Sequence, residues 1–190
     1  MYKMIGIIGE AGAGKDTILK KVLEMGGGHL SPTISCTTRP PRDYEKDGVD
    51  YHFLTNEQFA NYVLQNKFIE VSEFNNWFYG TLKDDLKTDY INISVLNPEG
   101  IENILLHNDI DLKVYYVEVP GRIRICRQLM REQDPDIPEI FRRYIADDED
   151  FFDLPFEYTI LKNETHKEFA QATDRIFIES FRWAKYGNKP

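Results

Sequence analysis

The residues best suited to do chemistry come early in the chain. Gly9-Glu10-Ala11-Gly12-Ala13-Gly14-Lys15-Asp16-Thr17 follows directly on the apolar run Met4-Ile5-Gly6-Ile7-Ile8. Glycines let a backbone turn and bring its N–H groups close to polyphosphate oxygens. A helix starting there points its positive end at the same oxygens. Lys15 adds a mobile point charge for the outer phosphates, so the stretch Gly9 to Thr17 reads as a nucleoside-triphosphate site. The residue after such a lysine is ordinarily Ser or Thr, whose hydroxyl meets Mg²⁺. Here it is Asp16, followed by Thr17. A carboxylate beside phosphates is repulsive unless a cation intervenes. Thr17 is therefore expected to supply the hydroxyl, and Asp16 either faces the ion through water or points away.

A second group of residues suits a second anion. In Ser35-Cys36-Thr37-Thr38-Arg39-Pro40-Pro41-Arg42 two arginines stand three apart around two prolines. Their forked donors can clamp one phosphate, and Tyr51 and Tyr79 could add hydroxyl donors. The alternative for Arg39 and Arg42 is ion pairing with Asp43, Glu45 or Asp47. Glu70 lies in the alternating Phe68-Ile69-Glu70-Val71, a pattern that can aim a carboxylate into a cleft. Such a carboxylate accepts parallel bonds from guanine N1–H and N2–H₂, donors that adenine lacks.

Strand and helix signals alternate around these residues, predicting an α/β fold with a parallel sheet flanked by helices. Strands are expected over 3–8, 33–37, 68–74, 77–79, 90–96, 112–119 and 158–161. Helices are expected over 15–25, 55–66, 98–107, 122–131, 139–150 and 164–185. The strands from Phe68 to Tyr79, around an Asn75-Asn76 turn, fall outside the alternation and suggest a small inserted sheet. Phe169, Ile176, Phe177 and Phe181 have core spacing on the last helix. Asp147-Asp148-Glu149-Asp150 reads as a solvated helix end.

Bulk properties narrow the classes. The 190 residues fit one domain, with 42% hydrophobic and 29% charged residues. A net charge of −9 argues against a general binder of nucleic-acid polymers or anionic membranes. Cys36 and Cys126 have no paired spacing and fit a reducing compartment. With no signal peptide or spanning segment in view, a cytoplasmic location is expected.

In order and spacing, several segments resemble the guanylate kinase family over nearly the whole chain. They are Gly9 to Thr17, Ser35 to Arg42, Asp47 to Phe53, Phe68-Ile69-Glu70, Tyr79-Gly80-Thr81, Ile140 to Tyr144 and Glu157 to Asn163. The resemblance implies a P-loop kinase that moves the γ-phosphoryl group of ATP to GMP or dGMP with Mg²⁺. It implies a core (1–34, 85–121, 151–190), a mixed-β monophosphate-binding insertion (35–84) and a helical lid (122–150). By the same resemblance Ser35, Glu70 and Thr81 read guanine, while Arg39, Arg42, Tyr51 and Tyr79 hold the monophosphate. Lys15, Arg39 and Arg143 serve the transferring phosphoryl group, and Asn163 lies near the adenine of ATP. An arginine suits that role because the loose transition state spreads negative charge over its oxygens.

Two departures bear on specificity. The family's Asp-Ile-Asp pattern is here Val95-Leu96-Asn97, so the aspartate that helps read guanine becomes Asn97, with added donors. The family's lid Arg-Gly-Thr is replaced by Glu132-Gln133-Asp134, which leaves Arg124, Arg127 and Arg131 on the preceding helix as substitutes. A deoxynucleotide kinase of altered base choice and a non-catalytic binding module are the alternatives. The expected partners are small nucleotides, with the chain as a monomer or homodimer.

Overall fold

The computed structural model describes residues 1–42, 45–74, 76–131 and 135–187. In chain order the first elements are β1 (Tyr2–Ile8), α1 (Lys15–Glu24), β2 (Leu30–Pro32), β3 (Cys36–Thr37), β4 (His52–Phe53) and α2 (Asn56–Leu64). Next come β5 (Phe68–Phe74), β6 (Trp77–Leu82), β7 (Ile91–Val95), α3 (Pro98–Leu105) and β8 (Ile110–Glu118). The last are α4 (Gly121–Leu129), α5 (Ile137–Asp150), β9 (Thr159–Lys162) and α6 (His166–Tyr186).

Five strands form one sheet in the order β2-β7-β1-β8-β9, with β2 parallel to β7 and β8 parallel to β9. Central parallel strands are covered on both faces and read as unbroken apolar runs. Met4, Ile5, Ile7 and Ile8 of β1 accordingly have no exposed surface. Four strands form a second, mixed sheet in the order β4-β3-β6-β5, in which β3 runs parallel to β4 and antiparallel to β6. By internal contacts the chain divides into two compact units, Met1–Gly6 with His29–Leu112, and Ile7–Gly28 with Lys113–Pro190.

In the first unit, α2 opens on a capping box. Thr55 Oγ1 accepts from the Gln58 amide at 3.1 Å, and the Gln58 side chain accepts from the Thr55 amide at 2.9 Å. Phe59 of this helix stacks on Phe68 of β5 at 4.6 Å between ring centres, over the buried Cys36. One expectation is corrected here: residues 33–37 are not a single strand. Leu30–Pro32 joins the large sheet at its edge, where a proline without an N–H is tolerated. Cys36–Thr37 turns into the small sheet, and the adjoining Ser35 carbonyl accepts from the His52 amide at 3.0 Å. Asn75 of the expected turn lies outside the described residues, while Asn76 adopts φ 62°, the left-handed form that asparagine tolerates.

In the second unit, α6 begins at His166 behind a Thr165–Glu168 capping box. Its buried stripe is Ala172, Thr173, Ile176, Ser180 and Trp183. Phe181 falls outside that stripe and is 47% exposed, against the expected core placement. No helix among the described residues is long and apolar enough to cross a membrane.

Candidate active site

The phosphate loop belongs to the second unit. Gly12 (φ 82°) and Gly14 (φ 91°) take left-handed conformations that side chains resist, and a Cβ on Gly12 would lie 2.5 Å from the Arg124 carbonyl oxygen. The loop is therefore packed directly onto the backbone of α4. Lys15 folds back over it, donating to the carbonyls of Gly9 (2.5 Å) and Glu10 (3.2 Å). Burial pushes its pKa down, while Asp16, Asp147 and Glu10 pull the other way. Asn163, just past β9, donates from its side chain to the Ala13 carbonyl at 2.7 Å. Asp16 and Thr17 are exposed in the first turn of α1.

Two arginines of α4 fasten this loop from outside. Arg127 donates to the Asn163 carbonyl at 2.6 Å and to the Ala13 carbonyl at 3.3 Å. Arg124 is buried and pairs with Glu10 at 3.5 Å and Asp147 at 3.3 Å. Arg124 and Arg127, offered by the sequence as lid substitutes, are thus engaged with the loop and its buried neighbours. Glu132, Gln133 and Asp134 lie outside the described residues.

Asp147 corrects the expected solvated helix end. It is 1% exposed and accepts a 2.8 Å hydrogen bond from the Ala11 amide of the phosphate loop. Burial raises its carboxyl to about 6, against the Ala11 N–H and the charges of Lys15 and Arg124. Asp148 and Glu149, by contrast, are exposed. Helical phase separates them: Asp147 lies three and seven residues from Tyr144 and Ile140, and Ile140 is buried too.

Arg143, expected at the transferring phosphoryl group, is held within its own helix. Its Nε donates to Glu139 at 2.6 Å, and Arg142 Nε donates to the other oxygen of the same carboxylate at 2.6 Å. The hydrogen bonds from Arg142 and then Arg143 draw the Glu139 carboxyl down to about 2.

The second cluster lies in the first unit. Arg39 forks onto Glu45, with Nη2 at 2.8 and 2.9 Å from the two carboxylate oxygens. Arg42 adds its backbone amide (2.9 Å) and Nη1 (3.3 Å) to the same carboxylate. Glu45 therefore brings both guanidiniums together. The sequence offers it only as an ion-pair partner, and that pairing forms, with Arg39 7% and Glu45 6% exposed. Arg39 Cζ also stands 5.5 Å from the Tyr51 ring centre, and the Tyr51 and Tyr79 rings meet edge-on at 6.1 Å. The two arginines and two tyrosines are brought together as the sequence suggests.

Glu70 of β5 is 4% exposed. Thr81 of β6 donates its hydroxyl to Glu70 Oε1 at 2.7 Å, while Oε2 is buried with no hydrogen-bond partner among the described residues. Burial, opposed by Thr81, raises the Glu70 carboxyl to about 7. Oε2 faces the first turn of α3, 3.1 Å from where a Cβ on Gly100 would stand, so a side chain there would press on Oε2 and on the Asn97 oxygen at 2.9 Å. Asn97 caps the same turn, its side-chain oxygen accepting from the Gly100 amide at 2.8 Å. This cap explains Asn97 locally, since an asparagine before Pro98 is a strong helix start. Ser35 is half-buried beside the β3–β4 pair.

Comparisons with known proteins bear on the family of the chain. The family model described as guanylate kinase matches residues 1–176. The guanylate kinase of Malacoplasma penetrans is 30% identical over 185 residues, 93% of this chain and 93% of that one. That of Legionella pneumophila (strain Lens) is 32% identical over 184 residues, covering 94% and 87%. In fold, the crystal structure of guanylate kinase from Anaplasma phagocytophilum aligns with a TM-score of 0.70 at 20% identity, over 98% of this chain and 88% of that one. With a family model spanning most of its length and full-length relatives at this identity, the chain belongs to the guanylate kinase family.

Proposed function

We propose that this chain transfers the γ-phosphoryl group of ATP to GMP or dGMP, giving ADP and the nucleoside diphosphate. The bond from the γ-phosphorus to the bridging oxygen breaks, and a bond to an oxygen of the monophosphate forms. The acceptor is already a phosphate oxygen, so positioning and charge stabilisation supply the acceleration and no separate general base is needed. The backbone from Gly9 to Thr17 and Lys15 hold the ATP phosphates, with Asn163 toward the adenine. Arg39 and Arg42, aligned by Glu45, take the monophosphate with Tyr51 and Tyr79. Glu70, Ser35 and Thr81 read the base, with Asn97 at its edge. Arg143 leaves Glu139 for the transferring group. Residues 35–84 act as the monophosphate-binding insertion and 122–150 as a lid on the remaining core.

Mg²⁺ fits the hard oxygen donors of Thr17 and Asp16, which are exposed in the first turn of α1, and would offset phosphate charge there. The kinase is placed in the cytoplasm as a monomer or homodimer, with no nucleic-acid polymer or membrane as partner.

The observation that carries the choice of guanine is the unpaired, buried Oε2 of Glu70. A buried acceptor without a donor is costly, and guanine supplies two donors in the right array. The test is a panel of ribo- and deoxynucleoside monophosphates with ATP, scored as kcat/KM. GMP or dGMP should lead, and Lys15→Ala should lower turnover by about 100-fold or more. A preference for another base would favour the reading that Asn97 supports, a deoxynucleotide kinase of altered specificity. Absence of turnover with every monophosphate would leave a binding module.

A further inference from the structure

The most unusual group near the phosphate loop is a carboxylate. Anion-binding loops offer amide N–H groups to phosphate, and a negative side chain there competes for the same donors. Asp147 is the eleventh residue of α5, which spans Ile137–Asp150. It is 1% exposed, takes the Ala11 amide at 2.8 Å, and pairs with Arg124 at 3.3 Å. The fields of Lys15 and Asp147 act on each other, so the carboxylate also holds the attention of the ammonium assigned to ATP. Nothing in this arrangement is a surface accident: a charged group has been moved out of water and given an amide donor and a guanidinium in return.

We propose that Asp147 is a built-in competitor of the triphosphate. Its carboxylate stands in for a phosphate on the nucleotide-free loop and is expelled, together with the turn of α5 that carries it, when ATP enters. Asp147 is thereby a residue that sets ATP affinity. This rests on the reading of Gly9 to Thr17 as the ATP site.

Two features support competition over a fixed structural contact. Lys15 is folded onto the carbonyls of Gly9 and Glu10 rather than extended, as expected for a loop closed on itself. Glu10 also pairs with Arg124, with Glu10 Oε2 lacking a hydrogen-bond partner among the described residues, so Arg124 keeps a carboxylate when Asp147 departs. The guanidinium is not stranded by release, which lowers the barrier to it.

The test uses the whole chain. Calorimetric titration gives the affinity of wild type and Asp147→Asn for ATP and for inorganic tripolyphosphate. The isosteric amide keeps an acceptor for Ala11 but loses the charge, and should bind both ligands about tenfold more tightly. Hydrogen exchange of the wild type is followed in parallel, so the result stands even if the variant folds poorly. Tripolyphosphate should protect the Gly9 to Thr17 amides and speed exchange over residues 144–150. Weaker binding by Asp147→Asn would make Asp147 a structural support and overturn the proposal. Tighter binding without faster exchange in 144–150 would make it a fixed negative neighbour, which also overturns release. A wild type that binds neither ligand refutes the ATP site itself, whereas binding with neither change refutes only the competition.

Discussion

Among single residues, Glu70 carries the sharpest consequence. Its carboxyl is raised to about 7 because burial penalises the charge. In the proposed base-reading role, guanine donors favour the ionised form, so at lower pH binding must first drive a proton off Glu70. Guanosine, which has no phosphate to titrate, should therefore bind more tightly as pH rises from about 5.5, levelling above about 7. Fluorescence or calorimetric titration across that range measures it. Glu70→Gln should flatten the profile and reduce discrimination between GMP and AMP, whereas a slope that survives the substitution assigns the titration to another group. The inward placement of this residue was legible in the sequence, although Phe68, Ile69 and Glu70 are all buried and strict alternation in β5 is not what puts it there. Its state was not, because the pairing of one oxygen with Thr81 and the isolation of the other depend on β6 and on Gly100, 30 residues away.

Helices and strands were read from the chain wherever local signals were strong. The capping box at Thr55, the glycines after α1 and the apolar run of β1 each act within a few residues. Short elements escaped because two residues carry no period: β3 and β4 exist only through their pairing with each other and with β6. Asp147 escaped for a related reason. An acidic run looks alike on all sides until the neighbours of the helix are known, and here only one member turns toward the phosphate loop. The capping of α3 by Asn97 makes a prediction at this scale. Asn97→Ala should lower stability by about 1 kcal/mol in urea unfolding, while Asn97→Asp should be nearly neutral because it preserves the acceptor. A large loss with Asp would show that a second carboxylate beside the buried Glu70 is repelled, since both side chains flank Gly100.

For the molecule as a whole, two buried acids set the direction of the pH response. Glu70 rises from 4.5 to about 7 and Asp147 from 3.8 to about 6. In both cases the folded state binds more protons than the unfolded one between those limits. Stability is thus fully supported below the unfolded values and declines as pH climbs through the window, each group contributing on the order of a few kcal/mol at most. Glu139, lowered to about 2, acts oppositely but between about 2 and 4.5. Urea midpoints should therefore fall from pH 5 to pH 8 without nucleotide, and Glu70→Gln should lessen the decline. A rising midpoint over that interval would mean other groups dominate. The strand order has a different consequence, for synthesis on the ribosome. β1 is made well before β7 and β8, whose residues follow roughly 90 and 110 positions later, yet it takes a central place between them. Until they emerge, the most apolar strand of the protein waits with both edges open, which makes the nascent chain, rather than the finished enzyme, the form most in need of a chaperone.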